Sequence, residues 1–503
     1  MPQARFVYTK SRFVKKIRQE CDHRCFFVSR SLNRMNKSIL LLGACLLATA
    51  YGSSAQDRSE AEKARLIDSA ISALYTEGAF NGNVLVAEKG KVIFSKSYGY
   101  AEEPARRKLD RESIFELASC SKQFTAAGIA LLQQQGKLGY DDPLVKWIPE
   151  LGMYKGITVR HLLWHTSGIP DYMSLMDSTW DHKKIATNKD MIRILQQVHP
   201  AAAFEPGAQM EYSNTGYALL SSIIEKASGS TYAAFLDKEI FQPLQMKHSY
   251  SYSRRLHPRK IDDYALGYVY SDSLQRKILP DSLADYDAVY CLDGITGDGT
   301  VNSTVDDLLK WDRALYNSKL FTPATRQLLF ASGKTNDGTV TGYAFGWGVQ
   351  QDSSLGLLAA HSGGWPGYVT YIERHMDQDK TIILLQNYSR VQIPSKIIRS
   401  IITNKPLPVK KKHQEITLPE SVLATYTGDY QLAPEFILTV SLENGQLMMQ
   451  ATGQGKLPLF AATESRFFLK AVEAEVDFQK DASGKVGSLV LHQNGRDMPA
   501  PKM

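Results

Sequence analysis

A serine and a lysine three residues apart, Ser119 and Lys122 in Phe115-Glu-Leu-Ala-Ser-Cys-Ser-Lys-Gln-Phe-Thr125, stand immediately ahead of an apolar helical run. Residues three apart share a helix face, so the Lys122 nitrogen can reach the Ser119 hydroxyl. A serine hydroxyl is a poor nucleophile until a base removes its proton, and a neighbouring amine is one such base. For that role Lys122 must be neutral when it acts, which calls for burial and nearby cations. On its own an S-x-x-K suits a solvated turn equally well. Two later segments, Tyr212-Ser-Asn214 and His361-Ser-Gly363, give it weight.

Tyr212 offers a second proton route, its phenolic oxygen relaying between Ser119 and a leaving group. Asn214 can orient Lys122 and donate a hydrogen bond to a substrate amide. Pro206-Gly207 before the segment and Thr215-Gly216 after it predict a turn that projects both side chains into a cleft. Taken alone, Tyr-x-Asn reads as a surface turn. His361-Ser-Gly-Gly-Trp-Pro-Gly367 follows the apolar run 355–360 and is expected at a strand edge. There Gly363 would let a substrate backbone come close. His361 would add a hydrogen bond or partial positive charge toward a substrate carboxylate or the relay tyrosine. Main-chain N–H groups of this strand and of Ser119 could hold a developing oxyanion. A glycine turn with a half-exposed histidine is the plainer reading of these residues.

Other chemistries find little support. No HExxH or Cys/His cluster occurs, so neither a metal nor a cofactor is expected. His161 and His165 lie four apart, but Thr166-Ser-Gly168 beside them points to a helix end, with capping or core roles. Ser119 lacks the Gly-x-Ser-x-Gly of a nucleophile elbow. The glycines of 294–299 lack the Gly-Lys-Ser/Thr of a phosphate loop.

The formal net charge of +7 would suggest a nucleic-acid partner, but it sits at one end. Residues 1–34 hold nine Lys/Arg and two Asp/Glu, and Lys37 is the only charge in 35–55. Residues 56–503 then carry 49 basic and 50 acidic side chains, so no nucleic-acid partner is expected. Met35-Asn-Lys-Ser-Ile-Leu-Leu-Leu-Gly-Ala-Cys-Leu-Leu-Ala-Thr-Ala50 has a basic start and an apolar middle, and Ser53-Ser-Ala55 supplies small residues for cleavage before Gln56. This is the layout of a secretory signal, too short for a membrane span. Residues 35–55 are thus expected to be a signal peptide, and 1–34 an upstream over-reading of the start, with a genuine basic tail as the alternative. No transmembrane span is expected in the mature form. Leu42-Gly-Ala-Cys45 resembles a lipoprotein box, but the apolar run continues past Cys45, so a lipid anchor there is the lesser alternative. Of five cysteines, Cys120 and Cys291 remain after cleavage at Ala55, too few for a disulfide scaffold. A bridge between the two has no support in the sequence.

A chain of 503 residues can hold a large core plus an accessory module. In 61–75 the apolar Leu66, Ile67, Ile71 and Leu74 recur at helical spacing. Val84-Leu-Val-Ala87 and Lys91-Val-Ile-Phe94 read as a hairpin. The nucleophile helix should run to Gln134 and stop at Gly136, and a second helix over 217–227 should close at Gly229. Residues 371–374 and 381–385 are expected strands around an Asp-Gln-Asp turn, and 395–402 a helix packed back on the sheet. The two ends of this stretch therefore meet in one mixed sheet. Residues 405–414 are charged and contain two prolines, as a linker would. Beyond them short strands alternate with turns, among them 426–430, 436–440, 445–449, 467–470, 476–478 and 486–491. That pattern fits a small antiparallel β-barrel or sandwich.

Ser119-x-x-Lys122, Tyr212-x-Asn214 and His361-x-Gly363, in this order, resemble the three motifs of the serine β-lactamase and penicillin-binding-protein superfamily. His161-Leu-Leu-Trp-His-Thr-Ser-Gly168, Gly297-Asp-Gly-Thr-Val-Asn-Ser-Thr304 and Tyr343-Ala-Phe-Gly-Trp347 add to a likeness nearest the class C-like, esterase branch. The resemblance implies an α+β chain. A β-lactamase/transpeptidase-like domain of helices and antiparallel sheet would span 56–405, followed by a linker at 406–414 and a small lipocalin-like β-barrel at 415–503. It implies acyl-enzyme formation on Ser119, proton shuttling by Lys122 and Tyr212, and substrate binding by Asn214, His361, Ser362 and Gly363. It implies a small-molecule or peptide substrate: an amide of D,D-peptidase or D-amino-acid-amidase type, or an ester. Class C β-lactamases carry Lys-Thr-Gly where this chain has His-Ser-Gly, which argues against efficient β-lactam hydrolysis, whereas Ser362 keeps the usual hydroxyl. A carboxylesterase, a weak β-lactamase and a catalytically poor binding or sensor protein are the alternatives. Export across a bacterial inner membrane, to the periplasm or outer surface, is expected. The stretches 171–205 and 250–290 should choose the substrate, with Trp180, Tyr252, Tyr264, Tyr268 and Trp365 as cleft or core aromatics.

Overall fold

The computed structural model describes residues 57–317, 319–407, 413–433, 436–452, 455–470, 472, 474–481, 483–493 and 496–503. The expected leader 1–34, the signal peptide 35–55 with Cys45, and 408–412 of the linker lie outside them. The chain divides into two compact units, Met1–Pro408 and Val409–Met503.

In the first unit, helix α1 (Glu60–Thr76) starts at Ser59, whose side chain accepts the Glu62 N–H. Glu60 and Glu62 in its first turn oppose the positive end of the helix dipole. Strands β1 (Gly82–Glu88) and β2 (Lys91–Tyr98) form the expected hairpin. Two buried helices follow, α2 (Lys122–Gln134) and α3 (Asn214–Ser228). Left-handed Gly229 ends α3 as its sequence implies. Helix α4 (Val305–Asn317) precedes strands β3 (Gly348–Asp352), β4 (Gly356–Trp365), β5 (Tyr368–His375) and β6 (Lys380–Gln386), and α5 (Ser395–Ile402) closes the unit.

These six strands make one antiparallel sheet in the order β3-β4-β5-β6-β1-β2, so the last strand completes the first hairpin. Val84 faces Leu384 across that seam and Leu85 faces Ile383. Successive side chains alternate between faces. Val84, Val86, Ile382 and Leu384 pack with Ile67 and Ile71 of α1 and Ile398 and Ile401 of α5. Leu85, Ala87, Ile383 and Leu385 join the larger core built on α2, α3 and Trp311 of α4. Both faces being covered there, β1 and β6 are near-continuous apolar runs rather than alternating ones. Strand β5 carries charge into both layers. Glu373, wholly buried, accepts from His375 Nε2 at 2.7 Å and from the α5 guanidinium of Arg399. On the opposite face Arg374 Nε donates to Asp312 Oδ1 of α4 at 2.6 Å.

The second unit holds two open antiparallel sheets. One is β7-β8-β9-β10 (Gly428–Ala433, Phe436–Glu443, Gln446–Ala451, Lys456–Pro458). The other is β11-β12-β13-β14-β15 (Phe460–Ala461, Arg466–Leu469, Ala474–Lys480, Val486–Gln493, Arg496–Pro501). Tyr426, Tyr430, Leu438, Phe467, Val476, Phe478 and Leu489 share one apolar core. The expected closed barrel is corrected: among the described residues no sheet closes, and β7 meets the chain just past β15 at one isolated bridge, Tyr430–Lys502. The reason lies in β15. Lys502 donates its N–H back to Gly487 of β14, whereas that of Met503 turns to Asp429 of β7. By alternation Pro499 and Pro501 face β7 as well, and proline has no N–H to give.

No helix of the described residues is long and apolar enough to cross a membrane. Cys120 and Cys291 are buried and unbridged, and burial pushes each thiol up to about 12.

Candidate active site

The nucleophile segment leaves the short strand Phe115–Glu116, which pairs with Val301–Ser303. Ala118 then adopts φ +48°, a left-handed conformation costly for a residue with a Cβ. Ser119 lies in a 3₁₀ turn, Ala118–Ser121, and α2 begins at Lys122. With three residues per turn, side chains i and i+3 eclipse. Ser119 Oγ accordingly lies 3.2 Å from Lys122 Nζ.

Lys122 is wholly buried, and its Nζ donates to Asn214 Oδ1 at 2.9 Å and to the main-chain oxygen of Asp298 at 3.0 Å. Both partners can only accept, so two of the lysine's hydrogens are committed to them. The position facing Ser119 is an N–H in the ammonium and a lone pair in the amine. Lysine and serine can therefore exchange a proton without either moving.

Asn214 opens α3 behind the N-cap Ser213. Its Nδ2 donates to Asp171 Oδ2 at 3.3 Å, which turns the amide oxygen toward the lysine. Tyr212 lies over the same ammonium, its ring centre 5.0 Å from Lys122 Nζ. His165 holds the tyrosine's segment from both sides. Its carbonyl accepts the Glu211 N–H at 2.9 Å and its Nδ1 accepts the Ser213 N–H at 3.0 Å. The His165 ring lies 4.4 Å from those of Tyr212 and Tyr343. Burial first, and the charge of Lys122 second, hold its pKa well below the ordinary histidine value, so the ring is neutral. His161 closes a capping box with Thr158. Both histidines thus have the capping and core roles expected of them.

His361 is buried and bonded at both ring nitrogens. Its Nδ1 lies 2.7 Å from Ser362 O and its Nε2 2.9 Å from Tyr343 Oη. The carbonyl can only accept, so Nδ1 carries the proton and Nε2 accepts from the tyrosine. Burial and the charge of Lys122 pull its pKa down to about 3. The ring is neutral with both nitrogens engaged, and in this arrangement it orients Tyr343 rather than presenting positive charge to a carboxylate. Gly363 is closely packed. A Cβ there would lie 2.2 Å from Leu117 O and from Thr370 Oγ1, so close packing of the nucleophile's own segment demands the glycine. Gly363→Ala is expected to displace 117–119 and lower kcat/KM about 10²-fold, the scale of a 1 Å misplacement. Activity on an activated ester, with circular dichroism as the fold control, checks this.

Ser119, Tyr212, Asn214 and Ser362 open on one cavity of about 870 Å³. Tyr252 and Trp365 line it, whereas Tyr264 and Tyr268 are buried and Trp180 packs on the main core. Sequence reasoning missed His165, Asp171, Tyr343 and the Asp298 side chain as parts of the site. Asp298 accepts from Tyr172 Oη at 2.9 Å, and burial raises its carboxyl pKa. His165, Asp298 and Tyr343 lie within motif-bearing stretches already singled out and Asp171 opens the stretch 171–205, so a polar residue in or beside a motif was the available signal.

Residues 67–407 match the Beta-lactamase family model, and 412–500 match a domain of unknown function, DUF3471. The chain is 42% identical over 430 residues to Penicillin-binding protein 4* of Bacillus subtilis (strain 168), covering 84% of this chain and 94% of that protein. Among solved structures it is similar to an octameric penicillin-binding protein homologue from Pyrococcus abyssi, at 25% identity and TM-score 0.60, covering 87% of this chain and 99% of that one. It is also similar to a D-amino acid amidase from Ochrobactrum anthropi SV3, at 26% identity and TM-score 0.53, covering 64% and 91%. By its family match and by its identity to the Bacillus protein, the chain belongs to the Beta-lactamase family and is a serine hydrolase.

Proposed function

We propose that Ser119 is the acylated residue of a hydrolase of amides, with esters as a second substrate class, working outside the cytoplasm after removal of 35–55. The observation that carries the reading is the Lys122 nitrogen, 3.2 Å from Ser119 Oγ with two fixed acceptors behind it. Ser119 Oγ attacks the substrate carbonyl carbon as Lys122, in its amine form, takes the hydroxyl proton. Main-chain N–H groups of Ser119 and of β4 beside Ser362 receive the developing oxyanion. Tyr212 passes a proton to the leaving nitrogen or oxygen, and the C–N or C–O bond breaks. Water then attacks the acyl carbon, and Ser119 Oγ leaves with a proton returned through the same pair. Asn214 fixes Lys122 through Oδ1, Ser362 stands in the cavity wall, and Gly363 lets that strand pack against the nucleophile's segment. His361 supports Tyr343 within the substrate-binding wall.

Intact mass after mixing with a penicillin, and separately with an activated acyl ester, tests this beside Ser119→Ala. A Ser119-dependent adduct with the ester that is then lost quickly is the expected result, and a penicillin adduct on the same serine would add to it. A folded protein that forms no adduct and leaves both reagents intact would overturn the reading.

A further inference from the structure

The charge of the cleft bears on its substrate, given the acyl-enzyme reading above. Its charged wall residues are Glu116, Asp171, Glu211, Asp293, Asp298 and Asp337, and no lysine or arginine is among the residues that line it. Lys122 lies beneath, wholly buried, with its hydrogens committed inside the protein. His361, the wall's imidazole, is neutral. A substrate anchored by a free carboxylate would find no cation on these walls.

The six carboxylates are not equivalent. Asp293 is paired with Arg255 at 3.0 Å and also accepts the N–H groups of Arg255 and Leu256. Asp298 is bonded to Tyr172, and Asp171 caps a helix and holds Asn214. Asp337 and Glu211 are exposed, and Asp337 is bound into its own turn by Thr335 and Thr339. Glu116 is different. It stands three residues before the nucleophile, half-buried, and its carboxyl has no hydrogen bond or ion pair among the described residues. The guanidinium groups of Arg254 and Arg255 lie near it, but they are engaged by Asp281 and Asp293. Burial pushes the Glu116 carboxyl up to about 7, with Arg254 and Arg255 opposing the rise and Asp281 and Asp293 adding to it. An under-solvated carboxyl with no partner gains most when a ligand brings the missing charge. Three residues span at most about 11 Å, so Glu116 can reach only groups close to the scissile bond.

We propose that this cleft selects substrates with a protonated amine one or two residues from the scissile carbonyl, and that the Glu116 carboxylate receives that amine. Amino-acid amides and short peptides with a free amino end fit, and substrates held by a terminal carboxylate do not. Tyr252, Leu292, Ile295 and Thr300 line the same cavity as Glu116.

Competition against acylation of Ser119 by an activated ester tests the proposal without requiring turnover of the competitor. The probes are D-alaninamide, its N-acetyl derivative and its N-succinyl derivative. The amine is expected to compete about tenfold or more better than the acetyl compound, with the succinyl compound weakest. In Glu116→Gln the amine-to-acetyl ratio should fall to within about twofold, whatever happens to the overall rate. Equal competition by all three probes, or a ratio that Glu116→Gln leaves intact, overturns the proposal while ester acylation still upholds the Ser119 reading. No acylation of Ser119 by the ester overturns both.

Discussion

Lys122→Met is expected to lower the rate of Ser119 acylation by about three orders of magnitude, the middle of the range for losing a positioned acid–base group. The lysine nitrogen is within hydrogen-bond distance of the serine hydroxyl, and no other described nitrogen is bonded to Ser119 Oγ. Methionine keeps most of the volume but leaves Asn214 Oδ1 and the Asp298 carbonyl without a donor. Tryptophan emission and near-ultraviolet circular dichroism must therefore establish that the variant is folded before its rate is read. Lys122→Arg separates charge from proton transfer. A guanidinium keeps the positive charge and can donate to the same acceptors, but it does not deprotonate in proteins. The arginine variant is expected to be nearly as slow as the methionine one. Stopped-flow acylation by an activated ester measures both. A rate in Lys122→Arg within tenfold of the parent would mean that charge suffices and that Tyr212 alone removes the serine proton.

The largest stability effect is expected at Asp312. Arg374 is wholly buried, and Asp312 receives its Nε at Oδ1 and its Nη2 at the main-chain oxygen. Tyr316 and Phe330 lie against the same guanidinium, 4.4 and 5.1 Å from its carbon. Asp312→Ala leaves this charge in the core without its carboxylate, a change that costs about 3–5 kcal/mol when one partner of a buried pair is removed. Urea unfolding followed by tryptophan emission reports on this directly, because all six tryptophans lie between 147 and 365, in the first unit. The double variant Asp312→Leu/Arg374→Met removes both charges and is expected to recover most of the loss. A loss below about 1 kcal/mol in Asp312→Ala would mean that water reaches the guanidinium once the carboxylate is gone.

These pairs mark where reading the sequence reached its limit. Asp312 and Arg374 are 62 positions apart, and nothing local to either announces the other. Glu373 and Arg374 are adjacent yet face opposite layers, each with its own distant counter-ion. His361 was expected to offer a hydrogen bond or partial positive charge to a substrate carboxylate or to the relay tyrosine. Its actual state depends on the Tyr343 hydroxyl, the Ser362 carbonyl and burial, which arise only when strand and loop come together. Gly363 was expected to let a substrate backbone come close; that it also makes room for a carbonyl of the nucleophile's own segment shows only in the folded chain.

The amino-acid sequence by itself determined what depends on near neighbours and periodic spacing. It set the amphipathic first and last helices, the hairpin at 84–94, the glycine that ends α3, and the strand–turn texture beyond 415. It also placed a serine and a lysine at the one separation that a 3₁₀ turn brings into register. Tertiary structure decided the rest. It folded the S-x-x-K as a 3₁₀ turn behind a left-handed Ala118, gathered Tyr212 onto His165, and left Glu116 without a partner. It held the C-terminal strands as two open sheets because two prolines face the seam. Backbone propensity and spacing are short-range and survive in the sequence, whereas the charge state of a buried group and the closure of a sheet depend on atoms that only folding brings within a few ångströms.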